Sequence, residues 1–265
     1  MKKKRPPFSI LSLFALLLFA FSALLPAFGA EEEKKVAPAA EKKSVSGEDL
    51  PPEQFLAVSR RMPGRRSWAL LEGEVVHRRE GARTIKAPLR LGLLFTQEQT
   101  IAQLDFNNGE IYNIGQVLGS TPKTVLNTKL GEGKKALLPL YGLEPQDLTM
   151  SFLYWAFLRE EKGESVRGQS CRKFILKEKG ENGRFLRVLI SSEYFFPVSA
   201  EFFSSDPEKK LSPYKTLEIT SFVRKENFWY PGKLRLEGDN WKSMVSFGRL
   251  EAGEDMKTLP KDLFH

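Results

Sequence analysis

Residues 140–158 read LYGLEPQDLTMSFLYWAFL, and how this stretch is read decides the fold. Pro145, Gln146 and Asp147 open a helix, because proline suits the first helical position and an acid suits the positive end of the dipole. Continued to Leu158, the helix carries Leu148, Phe152 and Trp155 on one stripe and Met150, Leu153 and Phe157 on another. A helix apolar on nearly all sides is buried on nearly all sides. Sequence of strand type flanks it in both directions, so the helix is expected to sit in the concave side of a sheet.

The flanking pattern has period two. Runs 67–79, 83–96, 99–106, 110–117 and 123–129 precede the helix, with Glu80-Gly81 and Asn108-Gly109 as turns. Runs 164–178, 184–192, 197–204, 214–225, 229–238 and 241–250 follow it, with turns at Glu181-Asn182-Gly183 and Gly238-Asp239-Asn240. Val198, Ala200 and Phe202 alternate with Ser199 and Glu201, so one face is dry and the other wet. Short turns between successive strands make antiparallel meanders. A shorter helix starts at Pro51-Pro52-Glu53, turns Phe55, Val58 and Met62 to one side and stops at Pro63-Gly64. The fold class is mainly β (α+β): an open half-barrel of about eleven antiparallel strands, with helices covering the concave side.

The N-terminus is a signal segment, residues 1–30. Lys2, Lys3, Lys4 and Arg5 form its positive end, an apolar run extends from Phe8 to Leu25, and Ala27 and Gly29 supply the small residues before a cut after Gly29 or Ala30. Left uncut, the run of about 18 residues would span a bilayer with the basic end inside, and would give the protein a membrane contact. Either way the rest of the chain is placed beyond the membrane, in the periplasm. Residues 31–50 are charged, rich in Ala, Pro and Ser and free of aromatics, which predicts a disordered linker. The folded domain is expected over 51–265.

The formal charge is +8 over 265 residues, and Lys2 to Arg5 account for four of those charges. The remainder is mildly basic with Lys, Arg and Glu interspersed, which does not suit nucleic acid. One cysteine, Cys171, excludes an internal disulfide or a cysteine metal site. It is expected to be a small buried apolar residue, with Arg172 on the opposite face of its strand. Of the two histidines, His77 stands beside Arg78 and Arg79 on what reads as a solvated face, and His265 is terminal. There is no G-x-S-x-G or H-E-x-x-H motif, no calcium loop and no recognisable carboxylate dyad. The run Gly131-Glu132-Gly133-Lys134-Lys135 fails as a phosphate loop, with Thr128 where its first glycine belongs. The chain is therefore read as a non-enzyme without cofactor or metal. Large apolar side chains are abundant instead, with 20 Phe, 4 Trp and 6 Tyr, and pairs such as Phe195-Phe196 and Phe202-Phe203 put aromatics on both faces.

Four segments carry a resemblance. Leu140-Tyr141-Gly142-Leu143-Glu144-Pro145-Gln146-Asp147-Leu148 resembles the glycine-containing lead-in to a central helix in the outer-membrane lipoprotein-sorting (LolA-like) superfamily. Val166-Arg167-Gly168-Gln169-Ser170-Cys171 is similar to the following strand. Phe196-Pro197-Val198-Ser199-Ala200-Glu201-Phe202-Phe203 and Phe228-Trp229-Tyr230-Pro231-Gly232-Lys233 resemble the later strands, most closely in the superfamily's uncharacterised relatives. The arginine that helps hold the mouth shut in the best-known members is not in place, the nearest match being Lys86-Ala87-Pro88-Leu89. The resemblance implies an apolar hollow between sheet and helices that carries lipoprotein acyl chains across the periplasm.

Alternation and helix stripes nominate the lining of such a hollow: Phe152, Trp155, Phe202, Leu217, Ile219, Leu234, Leu236, Val245 and Phe247. The same residues would serve an ordinary core. A fully dry hollow filled by side chains would sink the reading as a carrier of lipid or lipoprotein acyl chains. The alternatives are an envelope sensor that binds a protein partner on the same fold, and an exported enzyme with an unfamiliar site. A monomer is expected.

Overall fold

The computed structural model describes residues 47–264, except 61–65, 108, 118–122, 131–134, 182, 208–210 and 226–227. The signal segment, the linker to residue 46, Met62, Pro63-Gly64, Asn108, Gly131 to Lys134, Asn182 and His265 lie outside the described residues.

Twelve antiparallel strands form one sheet that does not close: β1 (Ser67–Arg79), β2 (Ile85–Phe95), β3 (Gln99–Phe106), β4 (Glu110–Val117), β5 (Lys123–Lys129), β6 (Ala156–Val166), β7 (Gln169–Lys177), β8 (Phe185–Ser191), β9 (Pro197–Phe203), β10 (Lys215–Lys225), β11 (Phe228–Gly238) and β12 (Trp241–Gly253). The order across the sheet is β5-β4-β3-β2-β1-β12-β11-β10-β9-β8-β7-β6. Two meanders are thus joined along a single seam, where β1 pairs with β12 from Trp68↔Gly253 to Arg79↔Trp241. The architecture is the open half-barrel expected, with one strand more than the sequence reading gave. The run 164–178 is a hairpin and not one strand, because Arg167 and Gly168 both take positive φ, 51° and 82°, and turn the chain between β6 and β7. Glycine meets such a φ without steric cost.

The expected helix over 145–158 is also corrected. Only Pro145–Thr149 is α-helical (α2). Met150 adopts left-handed geometry at φ 56°, a 3-10 turn covers Ser151–Tyr154, and β6 begins at Ala156. Apolar residues on every side are what a fully buried segment of any conformation shows, so the stripes carried no information on helix length. Arg60 donates to the carbonyls of Leu153 (2.7 Å) and Trp155 (3.0 Å), which supplies partners outside a helix.

The first helix, α1 (Pro52–Arg60), buries Phe55 and Leu56, whereas Val58 is 37% exposed. Its apolar side is set by Phe55, whose ring lies 5.4 Å from Phe174 and 4.9 Å from Phe195, rather than by the expected Phe55-Val58 stripe. Gly47 to Leu50, read as the end of the linker, are packed against the sheet: Arg172 donates to the carbonyls of Gly47 (2.9 Å) and Leu50 (2.6 Å).

One face of the sheet, together with α1 and residues 138–155, forms the main apolar cluster. A smaller cluster lies on the opposite face, where the C-terminal segment, with Leu259, Leu263 and Phe264, covers Trp68, Leu70 and Leu94.

Candidate functional site

Strand alternation turns Lys215, Leu217 and Ile219 of β10 inward. Leu217 pairs with Leu236, Ile219 with Leu234, and Leu234 with Val245, so these side chains form continuous rows across β10, β11 and β12. Phe202 pairs with Lys215 at the β9–β10 junction. Phe152 and Trp155 reach it from the covering segment, with ring centroids 5.7 and 6.1 Å from Phe202 in edge-to-face contact. Eight of the nine nominated residues are buried in the main cluster, and Phe247 packs against it half-buried, opposite Gly73 where β1 and β12 slip register. The structure therefore brings all nine to one apolar volume.

That volume is filled. The open depressions of the described surface include one of about 520 Å³ at the β6–β7 edge and one of about 390 Å³ beside Trp68. None of the nine residues lines either of them. The occupant of the hollow is the protein's own covering segment, hereafter the plug: a 3-10 turn at Leu138–Tyr141, α2, and the 3-10 turn at Ser151–Tyr154.

Polar contacts at several points hold the plug, and sequence reasoning missed their residues. At its start the Glu110 carboxylate accepts from the backbone N–H of Leu137 and of Leu138 (3.2 Å) and from Tyr112 Oη (2.7 Å). Burial, then the hydrogen bond and charge of Glu110, push the Tyr112 phenol above its ordinary range. Next, Tyr141 Oη donates to the Lys86 carbonyl (3.1 Å), and Ser243 Oγ donates to the Tyr141 carbonyl. His77 Nδ1 lies 2.9 Å from Ser243 Oγ. The hydroxyl hydrogen is committed to Tyr141, so Nδ1–H donates to Oγ. His77 is 4% exposed, which corrects its placement on a solvated face. Its position in step with Val75, not its neighbours Arg78 and Arg79, decides where it points.

The central contact is a buried ion pair. Asp147 on α2 is 0% exposed and accepts from Lys215 Nζ at 3.0 and 3.1 Å and from the Glu144 N–H at 2.8 Å. Glu144, 3.4 Å from the same ammonium, also accepts from Arg184 at 2.8 Å. Arg184 in turn holds Glu178 at 2.7 Å and lies 5.4 Å above the Trp155 ring. Lys215 Nζ stands 4.4 Å over the Phe202 ring. Burial raises the Asp147 carboxyl above its ordinary range, with Lys215 offsetting part of the rise. Burial acts the same way on Glu144, but Lys215 and Arg184 together outweigh it and hold that carboxyl low. At the far end, besides the two bonds from Arg60, Tyr154 Oη donates to the Arg60 carbonyl at 2.7 Å.

Cys171 is buried beside Leu189 and Val198, on the face away from Arg172, and burial pushes its thiol up. Among the described residues no three His, Cys, Asp or Glu side chains gather where they could hold a metal ion.

No family model matches the chain, and no curated protein matches it in sequence. Solved structures match it in fold. A DUF1329 family protein from Desulfovibrio piger superposes with a TM-score of 0.58 at 14% identity, over 80% of this chain and 96% of that one. An outer membrane lipoprotein-sorting protein domain from Vibrio parahaemolyticus superposes with a TM-score of 0.55 at 13% identity, over 79% of this chain and 93% of that one. The resemblance read from the sequence holds at the level of fold.

Proposed function

We propose that the chain is a non-catalytic carrier or binding module for the acyl chains of lipids or lipoproteins in the cell envelope, and that residues 137–155 are its displaceable plug. The make-up of the plug carries this reading. A helix of five residues flanked by 3-10 turns has no stability of its own, so its order comes from the barrel. It is pinned by discrete polar contacts at its start, middle and end, and its apolar side chains fill the space an acyl chain would fill. Hydrocarbon replacing hydrocarbon changes little buried area, so exchange costs little beyond release of the pins. The filled hollow argues against a permanently open pocket. A hollow filled by side chains counts against a carrier, and a carrier role therefore requires the plug to leave the hollow when a ligand binds. The basic and apolar N-terminal segment supports placement in the periplasm, freed if the segment is cut and held at the membrane if it is kept.

The test uses the full chain purified without detergent and titrated with a fluorescent fatty-acyl probe, with native mass spectrometry of the same sample. The expected result is saturable uptake, increased in the Asp147→Leu/Lys215→Met double variant, whose central pin is gone. No uptake by either protein overturns the reading. Capture of an envelope protein with no lipid bound would favour the sensor alternative instead.

A further inference from the structure

One row of the concave face carries polar side chains at four of its five positions. Ser67 pairs with Phe95, Phe95 with Thr100, Thr100 with Gln116, and Gln116 with Thr124, so these side chains share one side of β1 to β5. That side is the inner one. Two residues further along the same strands, Ala69, Leu93, Ala102 and Ile114 pair in the same way and belong to or pack on the main cluster. Ser67 is 1% exposed and Gln116 is 4% exposed, yet Ser67 Oγ and Gln116 Nε2 have no hydrogen-bond partner. Buried polar atoms are nearly always paired, and each orphan is a sizeable penalty that a ligand group reaching it would relieve.

The chemistry of the row narrows what docks. A glutamine amide nitrogen donates only, and a serine hydroxyl donates or accepts, so an acceptor satisfies either orphan. The row holds no ionisable side chain, so a phosphate or carboxylate would arrive with no countercharge. A neutral carbonyl brings an acceptor and no charge. At about 4.8 Å per strand, Ser67 and Gln116 lie roughly 14 Å apart along the sheet, too far for one carbonyl to reach both. We infer that this row is the subsite for the neutral ester or amide carbonyls of an acylated ligand, with Gln116 and Ser67 each donating to a carbonyl of its own. This rests on the acyl-carrier reading and adds to it the class of linkage recognised.

The test compares 1,2-dioctanoylglycerol with its 1,2-dioctyl ether, which has chains of the same length and no carbonyl, by displacement of the fluorescent acyl probe from the full chain. The expected result is about tenfold tighter binding of the ester. Gln116→Leu and Ser67→Ala should each lower that ratio several-fold while leaving ether affinity unchanged. Ser67→Ala removes a single atom, and so keeps the test valid if Gln116→Leu folds poorly. Equal binding of ester and ether by the wild type would mean the orphans hold water, and would overturn the subsite while the carrier reading stands. A ratio unchanged in both variants would overturn it too. Binding of neither lipid would overturn the carrier reading, and the subsite with it.

Discussion

Lys215 runs in step with Leu217 and Ile219, which turns an ammonium into the apolar side of the sheet, where Asp147 meets it. A buried pair contributes little net stability, but breaking one partner leaves an uncompensated charge. Lys215→Met should therefore lower unfolding stability by about 3–5 kcal/mol in urea titrations. Adding Asp147→Leu should restore most of the loss, and failure to recover would show that the pair does more than neutralise itself. His77 gives a pH dependence. Its imidazole is pushed below its ordinary 6.5 by burial first and by the charge of Arg79 second. The unfolded chain then takes up its proton at a higher pH than the folded one. The stability this group contributes is complete above about pH 6.5 and is lost as pH falls from there through the folded value, at no more than about 1.4 kcal/mol per pH unit. His77→Gln should flatten this part of the slope of Tm between pH 7 and 5. An unchanged slope would place its origin elsewhere. Both residues were legible in principle, because each keeps the two-residue phase of an inward row. Charge and charged neighbours hid them: a polar side chain in an apolar phase reads as solvated until its partner, distant in sequence, is known.

The elements were legible where local chemistry sets them. Glu80-Gly81 and Gly238-Asp239-Asn240 mark real turns, and most strand limits agree within a residue or two. The plug was not legible, because its conformation is set by partners far along the chain: Arg60 for its end, Lys215 for its middle, Glu110 for its start. The C-terminal segment shows the same dependence on distant contacts. Arg90 donates to the Leu263 carbonyl at 3.3 Å and pairs with Asp262 at 3.3 Å, which ties this segment over Trp68 and Leu70. It lies so close to β2 that a Cβ on Gly92 would stand 2.3 Å from the Leu263 carbonyl oxygen. Gly92→Ala should lift the segment, raise binding of an apolar dye and speed tryptic loss of the C-terminus. Gly115→Ala, where an added Cβ meets nothing within 4 Å, is the matched control. Equal behaviour of the two variants would refute this account of the covering segment.

At the scale of the whole molecule, alternation and short turns were enough to predict a curved antiparallel sheet with one dry face. The nine nominated side chains gather for the same reason: inward phase is a local property, and curvature makes inward positions converge. Which strands meet across the sheet is not local. Nothing within β1 names β12 as its neighbour, and that pairing alone joins the two meanders. Its consequence concerns time rather than shape. Until the final strand has left the ribosome, β1 has no second neighbour, and the first meander keeps an open edge that any passing strand could occupy. β12 thus acts as a clasp, and a chain held extended until that strand is made avoids mispairing at that edge.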